Sequence, residues 1–139
     1  MDCRPVAGRP LLVAVDDVIL GVIGVRDTVR TESRDVIAEL AEECAKQGIK
    51  LCFYYSQTQD WHHPDGARCA YDEAARRRFL DFIQGCIREL CTNYGKIDIL
   101  WHDVSWPLAT PELWESFKMN AMIRELQPHI LINNRSKLD

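Results

Sequence analysis

The chain has 139 residues, 47% of them hydrophobic, which suits one globular domain with a real core. A formal net charge of −4 argues against a nucleic-acid binder, which needs a broad basic face. The single basic run, Arg76-Arg77-Arg78, falls in a predicted helix and reads as a solvated face.

The most apolar part of the N-terminus is LLVAVDDVILGVIGV, residues 11–25. It is too short to span a bilayer and is interrupted by Asp16 and Asp17, so no membrane partner is expected. Arg4 and Arg9 precede it as in a secretory leader, but the Asp pair breaks that pattern and leaves no convincing signal peptide. The stretch reads as one or two strands within an N-terminal segment, residues 1–30, of uncertain structure. The cysteines at 3, 44, 52, 69, 86 and 91 form no CxxC pair. They read as buried thiols, not a zinc site or a disulfide framework, and no metal or cofactor is expected.

From Thr31 the pattern becomes helical. Ser33 is the expected N-cap, Val36, Ile37, Leu40, Ala41 and Cys44 the apolar stripe, and Gly48 the stop. Ile49 to Tyr55 (IKLCFYY) reads as a strand, and residues 56–71 as a long loop carrying Pro64 and Gly66. A second amphipathic helix is predicted over Asp72 to Asn93, marked by Phe79, Phe82, Ile83, Cys86, Ile87 and Leu90 and ended by Gly95. The strand Ile97 to Trp101 follows, then a loop through Pro107. Thr110-Pro111 is a helix start, and Leu113, Phe117, Ala121 and Leu126 form the stripe of that third helix. Pro128 ends it, and HILIN (129–133) is a third strand leading into Asn134 and Arg135.

Apolar strands alternating with helices predict a parallel α/β sheet covered by helices. Both a doubly wound sheet and part of a (β/α)8 TIM-like barrel fit that order. No glycine-rich phosphate loop follows any strand, which counts against nucleotide binding. In either architecture ligands bind at the carboxyl ends of the strands. Here those ends are polar and aromatic: Tyr54-Tyr55-Ser56 with Asp60-Trp61-His62-His63 beyond, Trp101-His102-Asp103, and Asn133-Asn134-Arg135. Strand alternation puts Ile99, Trp101 and Asp103 on one face and Leu100 and His102 on the other.

A carboxylate walled by Trp101, with Trp106 nearby, suits carbohydrate chemistry. Indole faces stack on sugar C–H surfaces, and an ionised carboxylate can attack or stabilise an oxocarbenium-like carbon. The alternative is that Asp103 only caps the next turn. A metal site built from His62, His63, Asp60 and Asp65 is disfavoured, because adjacent histidines point in different directions. Arg135 suits an ion pair at the surface or contact with an acid or sugar hydroxyl in a pocket.

The segments RDVIAELAEECAKQGIKLCFYYS, DWHHPD, IRELCTNYGKIDILWHD and IRELQPHILINNR, spanning residues 33–135 or so, resemble consecutive pieces of the α-L-fucosidases of glycoside hydrolase family 29. Residues 1–30 do not resemble the family. The resemblance implies that residues 31–139 are an incomplete catalytic barrel segment, acting by retaining double displacement on fucosylated glycans or small fucosides. It makes Asp103 the nucleophile, has Tyr54 and Trp101 line the fucose site, and brings Arg135 to the sugar. His62 and His63 match a loop motif and join the substrate-binding set. The general acid/base is expected beyond Asp139, and an earlier histidine pair of the family has no counterpart here.

A family barrel has eight strands and about 250 residues; three clear strands are legible in this sequence. Such a segment exposes sheet edges and an apolar inner face, making self-association through those edges a candidate interaction. The alternative function is a non-catalytic sugar-binding or degenerate remnant. Family members are often secreted, periplasmic or lysosomal, and the sequence itself fixes no location.

Overall fold

The computed structural model describes residues 10–15, 18–25, 31–56, 63–103 and 107–138. The elements run β1 (Pro10–Val15), β2 (Val18–Val25), α1 (Thr31–Gln47), β3 (Lys50–Ser56), α2 (Glu73–Asn93), β4 (Ile99–Asp103), α3 (Ser116–Leu126) and β5 (Leu131–Ile132). A single turn of 3₁₀ helix, Asn134–Ser136, follows β5. Among the described residues no helix is long and apolar enough to cross a membrane.

The five strands form one sheet in the order β1-β2-β3-β4-β5. β1 and β2 form an antiparallel hairpin, whereas β2, β3, β4 and β5 are mutually parallel. The antiparallel β1 departs from the all-parallel expectation, since a hairpin can join antiparallel neighbours without a crossover helix. From β2 onward each strand lies beside its predecessor, and the order never reverses. A doubly wound sheet needs a reversal at its switch point, so that alternative fails. Crossovers of constant hand along an unreversed order put α1, α2 and α3 on one face of the sheet.

That face holds the core. Leu51, Phe53 and Tyr55 of β3 and Leu100 and His102 of β4 are buried against Phe79, Ile83 and Ile87 of α2 and Met119 and Ile123 of α3. The opposite face is open: Trp101 is 49% exposed and Leu131 66%. The burial of β3 and β4 alternates residue by residue, as a strand with one covered face requires.

The glycine stops act as the sequence predicts. Gly48 and Gly95 both have φ of +71°, a left-handed conformation natural to glycine. At Gly48 the chain closes α1 with paired bonds, Gly48 N–H to the Ala45 carbonyl and Ile49 N–H to the Cys44 carbonyl. At the end of α2 the buried Gln127 amide completes the job. Its Nε2 donates to the carbonyls of Cys91 and Gly95, each at 2.8 Å, and its Oε1 accepts from Ile97 N–H. At the other end of α2, the Asp72 carboxylate accepts from Ala75 N–H as an N-cap.

Four expectations need correction. Ser33 lies inside α1, which starts at Thr31. Val36 is 62% exposed, whereas the rest of the α1 stripe, Ile37, Leu40, Ala41 and Cys44, packs against the core. The third helix begins at Ser116: Thr110 does accept from Leu113 N–H, but the turn it caps stops at Glu115, whose φ of 51° breaks the helical path. The restart rotates the helix, so Phe117 and Ala121 face outward while Ser116, Met119 and Ile123 are buried. The third strand is likewise only two residues long.

Of the described cysteines, Cys44, Cys69 and Cys91 are buried and Cys86 packs at the core's margin, but Cys52 lies half-buried on the open face of β3, against the expectation of a buried thiol, and none of them forms a disulfide. Burial pushes the Cys91 thiol up to about 11, which keeps it protonated and unreactive.

Candidate active site

The parallel strands β3 and β4 pair Tyr54 with Trp101 and Ser56 with Asp103. In a parallel ladder, paired residues share a face, so all four side chains belong to the open face at the carboxyl ends of the strands. The covered-face partners Tyr55 and His102 point the other way, into the core. The alternation read from the sequence therefore holds: Trp101 and Asp103 stand together, and His102 does not.

Asp103 is half-buried, and the turn it would cap, residues 104–106, lies outside the described residues. It accepts a short hydrogen bond from the Tyr54 hydroxyl. That contact and burial together push the Tyr54 phenol up to about 12, burial being the larger cause, while Ser56 and the positive charge of Arg135 oppose the rise. At neutral pH Tyr54 is consequently a proton-bearing donor. Arg135 itself is exposed on the 3₁₀ turn after β5, close enough for its charge to be felt at the phenol.

Two polar clamps hold this end of the sheet. The Asn133 amide exchanges two bonds with the backbone of His102: Nδ2 donates to the His102 carbonyl at 2.8 Å, and Oδ1 accepts from its N–H at 2.9 Å. The 3₁₀ turn is held from α3, where the Ser116 hydroxyl donates to the Ser136 carbonyl and the Asn120 amide donates to the Ser136 hydroxyl. Neither clamp is visible as a motif. Asn133 could have been suspected from its place straight after a short strand; Ser116 and Asn120 carry no sequence signal, because their partner lies 20 and 16 residues away.

His102 is fully buried, and among the described residues neither ring nitrogen has a hydrogen-bond partner. Burial lowers its pKa from 6.5 to about 4, so the ring is neutral and offers no proton to a leaving group near neutral pH.

The loop side of the site is described only from residue 63. His63 packs on the rings of Phe79 and Phe82, at centroid distances of 5.2 and 4.8 Å, and its Nδ1 accepts from Asp65 N–H. Asp65 is buried and held by the guanidiniums of Arg68 and Arg78. Bonding to Arg78 first, with Arg68 adding to it, holds its carboxyl down to about 2. The loop is thereby tied to α2 by a charge-assisted clamp. His62, Asp60, Trp61 and Trp106 lie outside the described residues.

Comparison with known proteins bears on this arrangement. A family model described as alpha-L-fucosidase matches residues 25–139. Among solved structures, the alpha-L-fucosidase AlfC from Lactobacillus casei in complex with its alpha-L-fucose product is 36% identical, with a TM-score of 0.61, over 76% of this chain and 39% of that one. Alpha-L-fucosidase isoenzyme 1 from Paenibacillus thiaminolyticus is 40% identical over 73% of this chain and 27% of its own, with a TM-score of 0.60. A bacterial fucosidase bound to a dihydroxy-methylpyrrolidine triazole inhibitor is 30% identical over 76% of this chain and 24% of its own, with a TM-score of 0.63. The chain thus spans well under half the length of these relatives. No curated protein matches it.

Proposed function

The chain belongs to the alpha-L-fucosidase family, and on that premise we propose that it is the part of a (β/α)8 catalytic barrel that carries the nucleophile of a retaining α-L-fucosidase. The unreversed run of parallel strands with helices on one face supports the barrel. The observation that carries the functional reading is the Tyr54–Asp103 hydrogen bond beside Trp101, on the open face at the carboxyl ends of β3 and β4. Active sites of such barrels sit at that end.

In this reading Asp103 attacks the anomeric carbon of a terminal α-L-fucose. The C–O bond to the aglycone breaks as the Asp103 ester forms, and the leaving oxygen takes a proton from a second carboxyl. Retaining enzymes hold their two carboxyls about 5–5.5 Å apart; no residue of this chain is assigned the second role. Water then gives a proton to that second carboxyl and attacks the anomeric carbon, the bond from that carbon to Asp103 breaks, and fucose leaves with its configuration retained. Tyr54, protonated throughout, donates to the carboxylate and fixes its orientation. Because the ester oxygen accepts a weaker bond than a free carboxylate, the phenol favours departure of Asp103 in the second step. Trp101 offers an indole face to the sugar's C–H surface, and Arg135 supplies a positive charge that is felt at the Tyr54 hydroxyl. His62 and His63 join the substrate-binding set that the family resemblance implies. Fucosylated glycans or small fucosides are the substrate class, and no cofactor takes part.

The test is release of nitrophenol from an aryl α-L-fucoside, a leaving group that departs without protonation. The unaltered chain should release it slowly but measurably, and Asp103→Ala should abolish the release. Equal release from both would sink the assignment. A second reading, a sugar-binding remnant without turnover, rests on the half-exposed Trp101 ring on the open face, which can stack on a sugar without any reaction. It predicts saturable fucose binding with no release from either protein.

A further inference from the structure

We propose that Asn133 is a positioning residue that fixes the Asp103-bearing end of β4 by standing in for a missing strand residue. The ladder between β4 and β5 is short: Ile99 pairs with Leu131 and Leu100 with Ile132, and there the strand ends. β4 continues to Asp103, so the next backbone groups facing β5, the N–H and carbonyl of His102, have no main-chain partner in β5. Orphaned groups there would cost free energy and let the strand end fray.

The Asn133 side chain fills that place. A primary amide has the same donor and acceptor pair as a peptide unit. Asn133 uses both on one residue, accepting from His102 N–H and donating to His102 C=O. His102 immediately precedes Asp103, and its own ring is locked in the core at 0% exposure. With the backbone pinned on one side and paired to β3 through Tyr55 and Ser56 on the other, the carboxylate has one direction in which to point: at the Tyr54 hydroxyl.

The substitution of a side chain for a strand residue also frees the main chain. After Asn133 the backbone turns at once into the 3₁₀ segment, which α3 holds through Ser116 and Asn120. Arg135 is thereby set on that turn, where its charge is felt at the Tyr54 hydroxyl. One amide thus sets two members of the constellation, Asp103 through β4 and Arg135 through the turn. Its catalytic consequence rests on Asp103 being the nucleophile; its geometric consequence does not.

The test uses the whole chain with tyrosines labelled at Cζ, the Tyr54 signal being identified by its loss in Y54F. N133A removes both bonds. N133D keeps the shape and the acceptor but replaces the donor with a charge facing the His102 carbonyl. Q127A is the control, since it breaks a buried amide clamp at the opposite end of the sheet. Burial first, and the bond to Asp103 second, push the Tyr54 phenol up to about 12 in the unaltered chain. It should fall by about one unit toward its ordinary value of about 10 in both Asn133 variants, as Asp103 leaves the hydroxyl, and stay put in Q127A. If N133A does not fold, N133D carries the test. An unchanged Tyr54 titration in a folded Asn133 variant overturns the proposal, and so does an equal shift in Q127A, which would mean general loosening. Labelling of Asp103 by an activated fucosyl donor should also slow about 10²-fold in the Asn133 variants. A shifted Tyr54 with no labelling even of the unaltered chain supports the positioning role and counts against the nucleophile instead.

Discussion

Replacing His102 with leucine should remove a defined part of the protein's sensitivity to acid. The ring is fully buried next to Asp103 in the chain, and its folded-state pKa lies near 4 against 6.5 when solvated. An unfolded chain binds a proton below 6.5 that the folded chain refuses until about pH 4. Protons therefore favour the unfolded state throughout that window. Stability is intact above the unfolded value and declines as pH falls through it. Each unit of difference is worth about 1.4 kcal/mol, so the loss attributable to this one ring approaches about 3 kcal/mol at the acid end. Urea unfolding at about pH 7.5 and about pH 4.5 gives two stabilities for each protein, and the other titrating groups cancel between wild type and His102→Leu. Wild type should lose about 2–3 kcal/mol more than the variant over that interval. At the higher pH the two should differ by no more than about 1.5 kcal/mol, because the swap nearly conserves volume and removes polar atoms that lack partners among the described residues. Parallel pH profiles would refute the reasoning, since the ring would then be titrating normally in the folded protein.

Two further substitutions separate fold from site. Gln127→Ala strands the Cys91 and Gly95 carbonyls and the Ile97 N–H, and should cost on the order of 3 kcal/mol in urea unfolding while leaving Asp103-dependent release of nitrophenol in place at low temperature. Trp101→Ala should do the reverse: the ring is half exposed, so stability should change by less than about 0.5 kcal/mol, while fucose affinity measured by calorimetric titration should drop about tenfold.

The central features of the site were legible because they follow from local rules. Alternation alone separates Trp101 and Asp103 from His102, and the glycine stops at 48 and 95 bound their helices as a left-handed residue must. What escaped the sequence depends on partners distant in the chain. The stripe of α3 departs from the sequence periodicity because Glu115, not a residue type that announces a left-handed conformation, resets the helix after the Thr110 turn. Only packing against α2 and the 3₁₀ segment fixes the new phase. β5 is shorter than its apolar run predicts because Asn133 replaces a strand residue with its side chain, and a side-chain amide doing main-chain work has no periodic signature. The role of Gln127 was invisible for the same reason, since its bonds reach residues 30 to 36 positions away.

The claim that matters most is that Asp103 is a nucleophile. Glycosylation by a donor with a fluoride leaving group needs little help from an acid, and a fluorine at C2 slows the hydrolysis that would follow. Incubating the chain with 2-deoxy-2-fluoro-fucosyl fluoride and weighing the intact protein therefore isolates the first chemical step. The account predicts one added fluorofucosyl unit, carried on the peptide containing Asp103 and absent in Asp103→Ala. An unchanged mass, or a label that persists when Asp103 is removed, would contradict it.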